Sequence, residues 1–366
     1  MDLVTLVDWL LLGNRSKNRE QTIFRPYFQS ILLKRTQLSL ICLLLVSVSF
    51  WALGALAKGK TSNPKVLAAL GYKYYQNRDY EKALPLLSKA NSLNPRDIAT
   101  CFYLASCAAA KGDSAVAINA FARLFVMCAP IDSFTCAAEP IFQRLRGTTR
   151  PYSCKLNSII LRWHPAARPI NIYVTDGKLL PDGLAGRILP SDKLAPYAAS
   201  FHSPAYLKAL PVAPGYQPTT KQVVASALAP WSFLMKEQIL SYALVEDPAI
   251  ADVFVFFTNN MDRCGYTIYP PSSGVNFPLM AVRGCPVIVQ IDTKVTNSSL
   301  LYRTACHEFG HVFGLQHSRN KDDIMYDAGV NNPLGPAQIS DSDALTIRAL
   351  YQLPVDVWLI KNGNRK

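Results

Sequence analysis

Histidine and glutamate are scarce in this 366-residue chain, with five of the first and six of the second. Any tight grouping of them at fixed spacing is therefore informative. No CxxC pair occurs among the nine cysteines, which excludes a zinc ribbon or a thioredoxin-like motif and leaves disulfides open. Charged residues reach only 17%, and no segment concentrates the formal net charge of +13, which divides into +5 over 1–60, +5 over 61–150 and +3 over 151–366. Basic residues scattered without aromatic interleaving form a solvated surface rather than a groove that tracks phosphates, so no nucleic-acid partner is expected. What is present in quantity is apolar: 50% of the residues and a mean hydropathy of +0.10 exclude a wholly disordered chain. The length passes the roughly 250–300 residues at which one core usually splits, so at least two domains are expected.

Residues 36–57 form a 22-residue uncharged run, TQLSLICLLLVSVSFWALGALA. As a helix it rises about 33 Å, enough to cross a hydrocarbon core. It reads as a transmembrane signal anchor behind a basic segment at 1–35. Lys34 and Arg35 before it and Lys58 and Lys60 after it nearly balance the positive-inside count. Eight of the nine cysteines lie beyond the run, which favours a single-pass protein with a cytoplasmic N-terminus and an extracytoplasmic body.

A self-similar stretch follows at 64–130. Leu67, Leu70, Gly71, Tyr74, Ala83, Leu87, Ala90 and Pro95 are echoed 34 residues later by Cys101, Leu104, Ala105, Ala108, Ala117, Phe121 and Leu124. Small residues let paired helices approach while larger ones fill the layer between them. The pattern resembles tetratricopeptide repeats, which implies an antiparallel helical stack and a possible protein partner. A spacer is the alternative. Residues 131–164 read as a linker or capping helix.

The chemistry concentrates at His307-Glu308-Phe309-Gly310-His311-Val312-Phe313-Gly314-Leu315-Gln316-His317. Residues four apart share a helical face, so His307 and His311 can present two imidazoles to one ion. Glu308, one step round, is placed to take a proton from metal-activated water without being a ligand. His317 cannot join them unless the helix ends first. Gly314 is where the chain can turn, because glycine readily adopts the left-handed conformation that terminates helices. Three neutral histidines and an open position describe a catalytic zinc site.

The segment HEFGHVFGLQHS resembles the zinc-binding sequence of metzincin metalloproteases, and Ser318 after the third histidine is most similar to the matrixin branch. Asp323-Ile324-Met325-Tyr326 lies where matrixins carry their Met-turn, which implies that Met325 floors the metal site. The resemblance implies an α+β catalytic domain over 165–366, with one catalytic zinc, leaves calcium undecided, and makes a protein or peptide the substrate. Strands are expected near 169–174, 251–257 and 286–291, an amphipathic helix over 219–233, and helices capped by Asn297 or Ser298 and by Ser340 or Asp341. A Pro-rich insertion at 177–218 and the two remaining histidines, His164 and His202, stand outside the pattern.

The expected chain is thus multidomain: an N-terminal membrane helix, an all-α helical-repeat module and an α+β metzincin-like domain that acts as a zinc endopeptidase with Glu308 as general base. A partner-binding scaffold with incidental hydrolysis and a hydrolase of non-peptide amides are the competing classes.

Overall fold

The computed structural model describes residues 62–128, 132–156, 158–181, 184, 195–273, 279–282, 284–327 and 338–360. Five helices come first: α1 (Pro64–Gln76), α2 (Tyr80–Leu93), α3 (Ile98–Ala110), α4 (Ser114–Met127) and α5 (Ser133–Arg146). Each begins where a short polar side chain can accept a hydrogen bond from an otherwise unpaired N–H. Asn63 caps α1, and Asp79, Asp97, Asp113 and Asp132 cap the next four. The starts of α1 and α3, and of α2 and α4, are offset by 34 residues. The α1–α2 pair packs so closely that a methyl on Gly71 would stand 2.7 Å from Leu87 Cγ. Ala83, Ala90, Ala105 and Ala117 are buried between the helices.

The remainder is built on two sheets. The larger runs β3 (Tyr242–Leu244), β2 (Ile170–Val174), β4 (Val253–Thr258), β8 (Val287–Asp292), β5 (Gly265–Ile268), parallel except for β5 at the edge. The smaller joins β1 (Leu161–Trp163), β9 (Val357–Leu359), β7 (Leu279–Ala281) and β6 (Ser272–Ser273). Strands β4 and β8 are buried at every position because the large sheet is covered on both faces. Val253, Val255 and Phe257 point into the main core, where α6 (Pro218–Ser226) and α7 (Ser298–Val312) pack. Phe254 and Phe256 point the other way, against Phe201 and Leu207 of short helices within 198–209. The helix expected over 219–233 stops at Ser226 and gives way to a 3₁₀ turn at Ala229–Ser232. Pro230 lacks the N–H an α-helix needs and its ring crowds the preceding turn. A last helix, α8 (Asp341–Leu350), is capped by Ser340.

The helical and sheet regions share one core, which runs from Ala83 to Leu359. Arg96 Nη1 meets Asp356 Oδ1 at 2.6 Å, and Tyr152 donates its hydroxyl to Asp343 Oδ1 at 2.8 Å.

The expectation of a membrane helix, and with it a single-pass topology, is corrected. Among the described residues no helix is long and apolar enough to cross a membrane. A helix of 15 residues such as α7 rises only about 22 Å, short of the roughly 30 Å hydrocarbon core. The run at 36–57 lies outside the described residues. The architecture that stands is a helical N-terminal region followed by an α/β C-terminal domain.

Candidate metal centre

Helix α7 is capped by Asn297 Oδ1, which accepts from Leu300 N at 3.0 Å. Its C-terminal turn carries His307 and His311, whose ring centroids are 4.8 Å apart. The helix ends at Val312, and Gly314 follows at φ +100°. A side chain at Gly314 would also stand 3.0 Å from the Leu161 carbonyl. The chain then returns so that His317 lies 4.8 Å from His311 and 5.2 Å from His307, centroid to centroid. One ligand atom from each of the three lies within 4.8 Å of the others.

Burying a helix end leaves carbonyls that need donors. Tyr269 Oη donates to the His311 carbonyl at 2.7 Å, Trp163 Nε1 to Val312 at 2.7 Å and Tyr351 Oη to Phe313 at 3.1 Å. The turn carrying His311 is therefore fixed from three other elements.

The tautomers follow from the neighbours. His307 Nδ1 lies 2.8 Å from the Ile324 carbonyl and His311 Nδ1 lies 2.8 Å from the Leu315 carbonyl. A carbonyl only accepts, so each Nδ1 carries the hydrogen and each Nε2 offers a lone pair. His311 Nε2 and His317 Nε2 approach to 3.1 Å, a spacing that a shared cation satisfies. Burial pushes the His307 pKa down to about 4 and lowers those of His311 and His317 as well. Neutral imidazoles are what a transition-metal ion requires, so the donor set fits zinc.

Beneath the histidines, Ser318 N donates to the Met325 carbonyl at 2.8 Å and closes the turn at 318–326. Met325 is fully buried, and a methyl at Gly310 would collide with its sulfur. Trp231 fills the other side and donates Nε1 to the Cys306 carbonyl at 3.1 Å. The turn is held by Asp323, which accepts from the Ser318 hydroxyl and, at 2.7 Å, from the Ser340 hydroxyl. Arg303, buried to 4% exposure, donates to the Asp323 carbonyl at 3.0 Å.

Glu308 opens into a cleft of about 570 Å³ lined also by His307, His311, His317 and strand β5. Burial raises its pKa to about 8, against a lowering hydrogen bond from Thr267. Thr267 Oγ1 donates to Glu308 Oε2 at 2.6 Å. A methyl at Gly265 would stand 2.8 Å from Glu308 Oε1, so the carboxyl lies directly against the β5 backbone.

The structure thus gathers His307, Glu308, His311, His317, Gly314 and Met325 in one place. His164 accepts from Ala166 N, and His202 lies by the Pro248 carbonyl; neither joins the cluster. The eight described cysteines are free, including Cys264 in the cleft and Cys285. Burial pushes the Cys306 thiol up to about 12. Thr267, Tyr269, Trp163 and Arg303 were not singled out by the sequence pattern. Each is tied to the site by a contact distant in sequence, which no local spacing signals.

Residues 214–352 match the model of the matrixin (Peptidase_M10) family. No curated protein matches the chain. The matrixin match and the cluster of His307, His311 and His317 support a metzincin-type zinc metalloprotease.

Proposed function

We propose that the chain is a zinc endopeptidase in which the Nε2 atoms of His307, His311 and His317 hold the metal and Glu308 is the general base. The observation that carries this reading is the convergence of three ring nitrogens, two of them with Nδ1 committed to a carbonyl, beside a buried carboxyl. Zinc, when bound, supplies the Lewis acid that polarises the scissile carbonyl and makes water nucleophilic near neutral pH. Glu308 takes the proton of the attacking water at its carboxylate and returns it to the leaving amine. Thr267 holds that carboxylate through Oε2. Gly314 lets the chain turn toward His317, and Met325 forms the apolar floor. The catalytic part occupies 165–366, with 131–164 joining it to the helices. The 34-residue offset and the close α1–α2 packing favour tetratricopeptide-type units over 64–130, with a surface for a protein partner.

The test is zinc content and casein cleavage by the full chain purified without chelator. Wild type is expected to hold one zinc and cleave. Glu308→Ala is expected to keep the zinc and lose activity by at least about a hundredfold; retained turnover defeats the assignment of Glu308. His311→Ala is expected to lose both, and an active, zinc-loaded variant shows the ligand set to be wrong.

A further inference from the structure

The charges lining the cleft differ in what they are free to do. Arg303 is buried and bound to the Asp323 carbonyl, and Glu308 is buried and held by Thr267. Asp327 lies 3.7 Å from His317 Nδ1, on the side of the third histidine. Arg263 is different: it is exposed, lines the cleft, and forms no ion pair among the described residues. Its guanidinium lies over the Tyr266 ring, 5.9 Å from the centroid. A guanidinium resting on an aromatic face keeps its edge donors available for a planar anion. Arg263 is also two residues from Gly265, whose backbone abuts the Glu308 carboxyl.

We propose that Arg263 is a specificity-determining residue that selects peptide substrates carrying an aspartate or glutamate side chain close to the scissile bond. This rests on the endopeptidase reading and names its substrate class. A carboxylate beside the scissile bond meets the exposed guanidinium, and a lysine at the same place is repelled. Because the contact is open to water, the expected selectivity is about three- to fivefold for acid over amide, and about tenfold for acid over lysine.

The experiment uses the full zinc-loaded chain and matched peptides with Asp, Asn or Lys placed in turn at positions on either side of the cleaved bond. kcat/KM is measured for wild type, Arg263→Ala and Arg263→Glu, and binding of the same peptides to Glu308→Gln is followed by fluorescence anisotropy. The proposal expects one position at which Asp exceeds Asn and Lys in both readouts, a loss of that preference in Arg263→Ala and its reversal in Arg263→Glu. Raising NaCl from about 0.05 to 0.5 M is expected to shrink it. Equal preferences in the three proteins, or none in wild type, overturn it. Charge-selective binding without cleavage would refute the endopeptidase and leave the acidic site standing, whereas cleavage without charge preference would do the reverse.

Discussion

Gly310→Ala tests whether the packing beneath the histidines is what sets the metal site. Gly310 lies in the last turn of α7 between His307 and His311. In an open helix, alanine would stabilise by about 1 kcal/mol over glycine. Here the added methyl would overlap the Met325 sulfur and stand 3.1 Å from both Met325 Cε and Trp231 Cζ2. Met325 is flexible, but it and Trp231 are fully buried and Trp231 is tethered to the Cys306 carbonyl. The sulfur therefore moves only with the turn that carries it. Overpacking of this kind costs about 1–3 kcal/mol, so the net expectation is a loss of about 1 kcal/mol. Ile324, next to Met325, supplies the carbonyl that fixes the His307 tautomer, so zinc affinity should fall about tenfold or more. Met325→Ala alone should cost about 2–5 kcal/mol by leaving a cavity. In the double variant the new methyl enters that cavity, so the two effects should sum to less than their separate values. Urea unfolding of the zinc-free proteins and chelator competition for zinc supply both readouts. A Gly310→Ala protein more stable than wild type, or strict additivity with Met325→Ala, would refute the reasoning.

Thr267→Val removes the donor to Glu308 Oε2. That bond lowers a pKa that burial raises to about 8, so the acid limb of the kcat/KM profile should move to higher pH, by about one unit for a bond worth about 1.4 kcal/mol. An unchanged profile would show that the hydroxyl does not support the ionised base. Trp163→Phe keeps the aromatic packing but strands the Val312 carbonyl, and should cost about 1–3 kcal/mol in urea unfolding; a neutral result would mean that water reaches the helix end. Asp343 has a pKa raised by burial above 3.8. The native state therefore binds its proton more tightly than the unfolded state, so this group's contribution is fully present below 3.8 and is lost as pH rises through the raised native value. In chelator-treated protein, Asp343→Asn should lack that part of the slope of stability against pH, and identical slopes in the two proteins would count against it.

The clustering of the three histidines and the turn that allows it were legible because their geometry is local. Histidines four apart share a face, and a glycine beyond Phe313 offers the left-handed residue the reversal needs. The strands at 170–174, 253–258 and 287–292 were legible from apolar runs, and the caps of α7 and α8 were among the polar residues offered there, Asn297 and Ser340. The end of α6 was misread, since the amphipathic pattern continued past Ser226 while Pro230 forbade the hydrogen bonding. What could not be read is whatever depends on pairing across the fold. Thr267 meets Glu308 only because β5 runs antiparallel along β8, and no spacing encodes that register. The membrane reading failed for another reason: hydropathy gives a length of chain, and the described helices offer none long and apolar enough to span.

The buried polar groups explain how segments outside the zinc-binding sequence bear on it. Asp343 Oδ2 accepts from the Ile324 N–H at 2.9 Å, and the Ile324 carbonyl faces His307 Nδ1. The other oxygen of Asp343 accepts from Tyr152, which precedes the first strand. Ser340 Oγ lies 2.7 Å from Asp323 Oδ1 and 2.8 Å from Asp343 Oδ2, yet a hydroxyl has one proton to give. The Asp343 carboxyl is held besides by the Ser340 N–H, which donates to Asp343 Oδ2 at 3.0 Å, while the Asp343 N–H donates back to Ser340 Oγ at 3.0 Å. Burial raises the Asp343 pKa while the hydrogen bonds from Ser340 and Tyr152 oppose the rise, and through them the carboxyl ties the turn at Ile324 to the start of α8 and to Tyr152. The orientation of His307 is therefore a property of the fold from Tyr152 to α8, rather than of the eleven residues that announce the site.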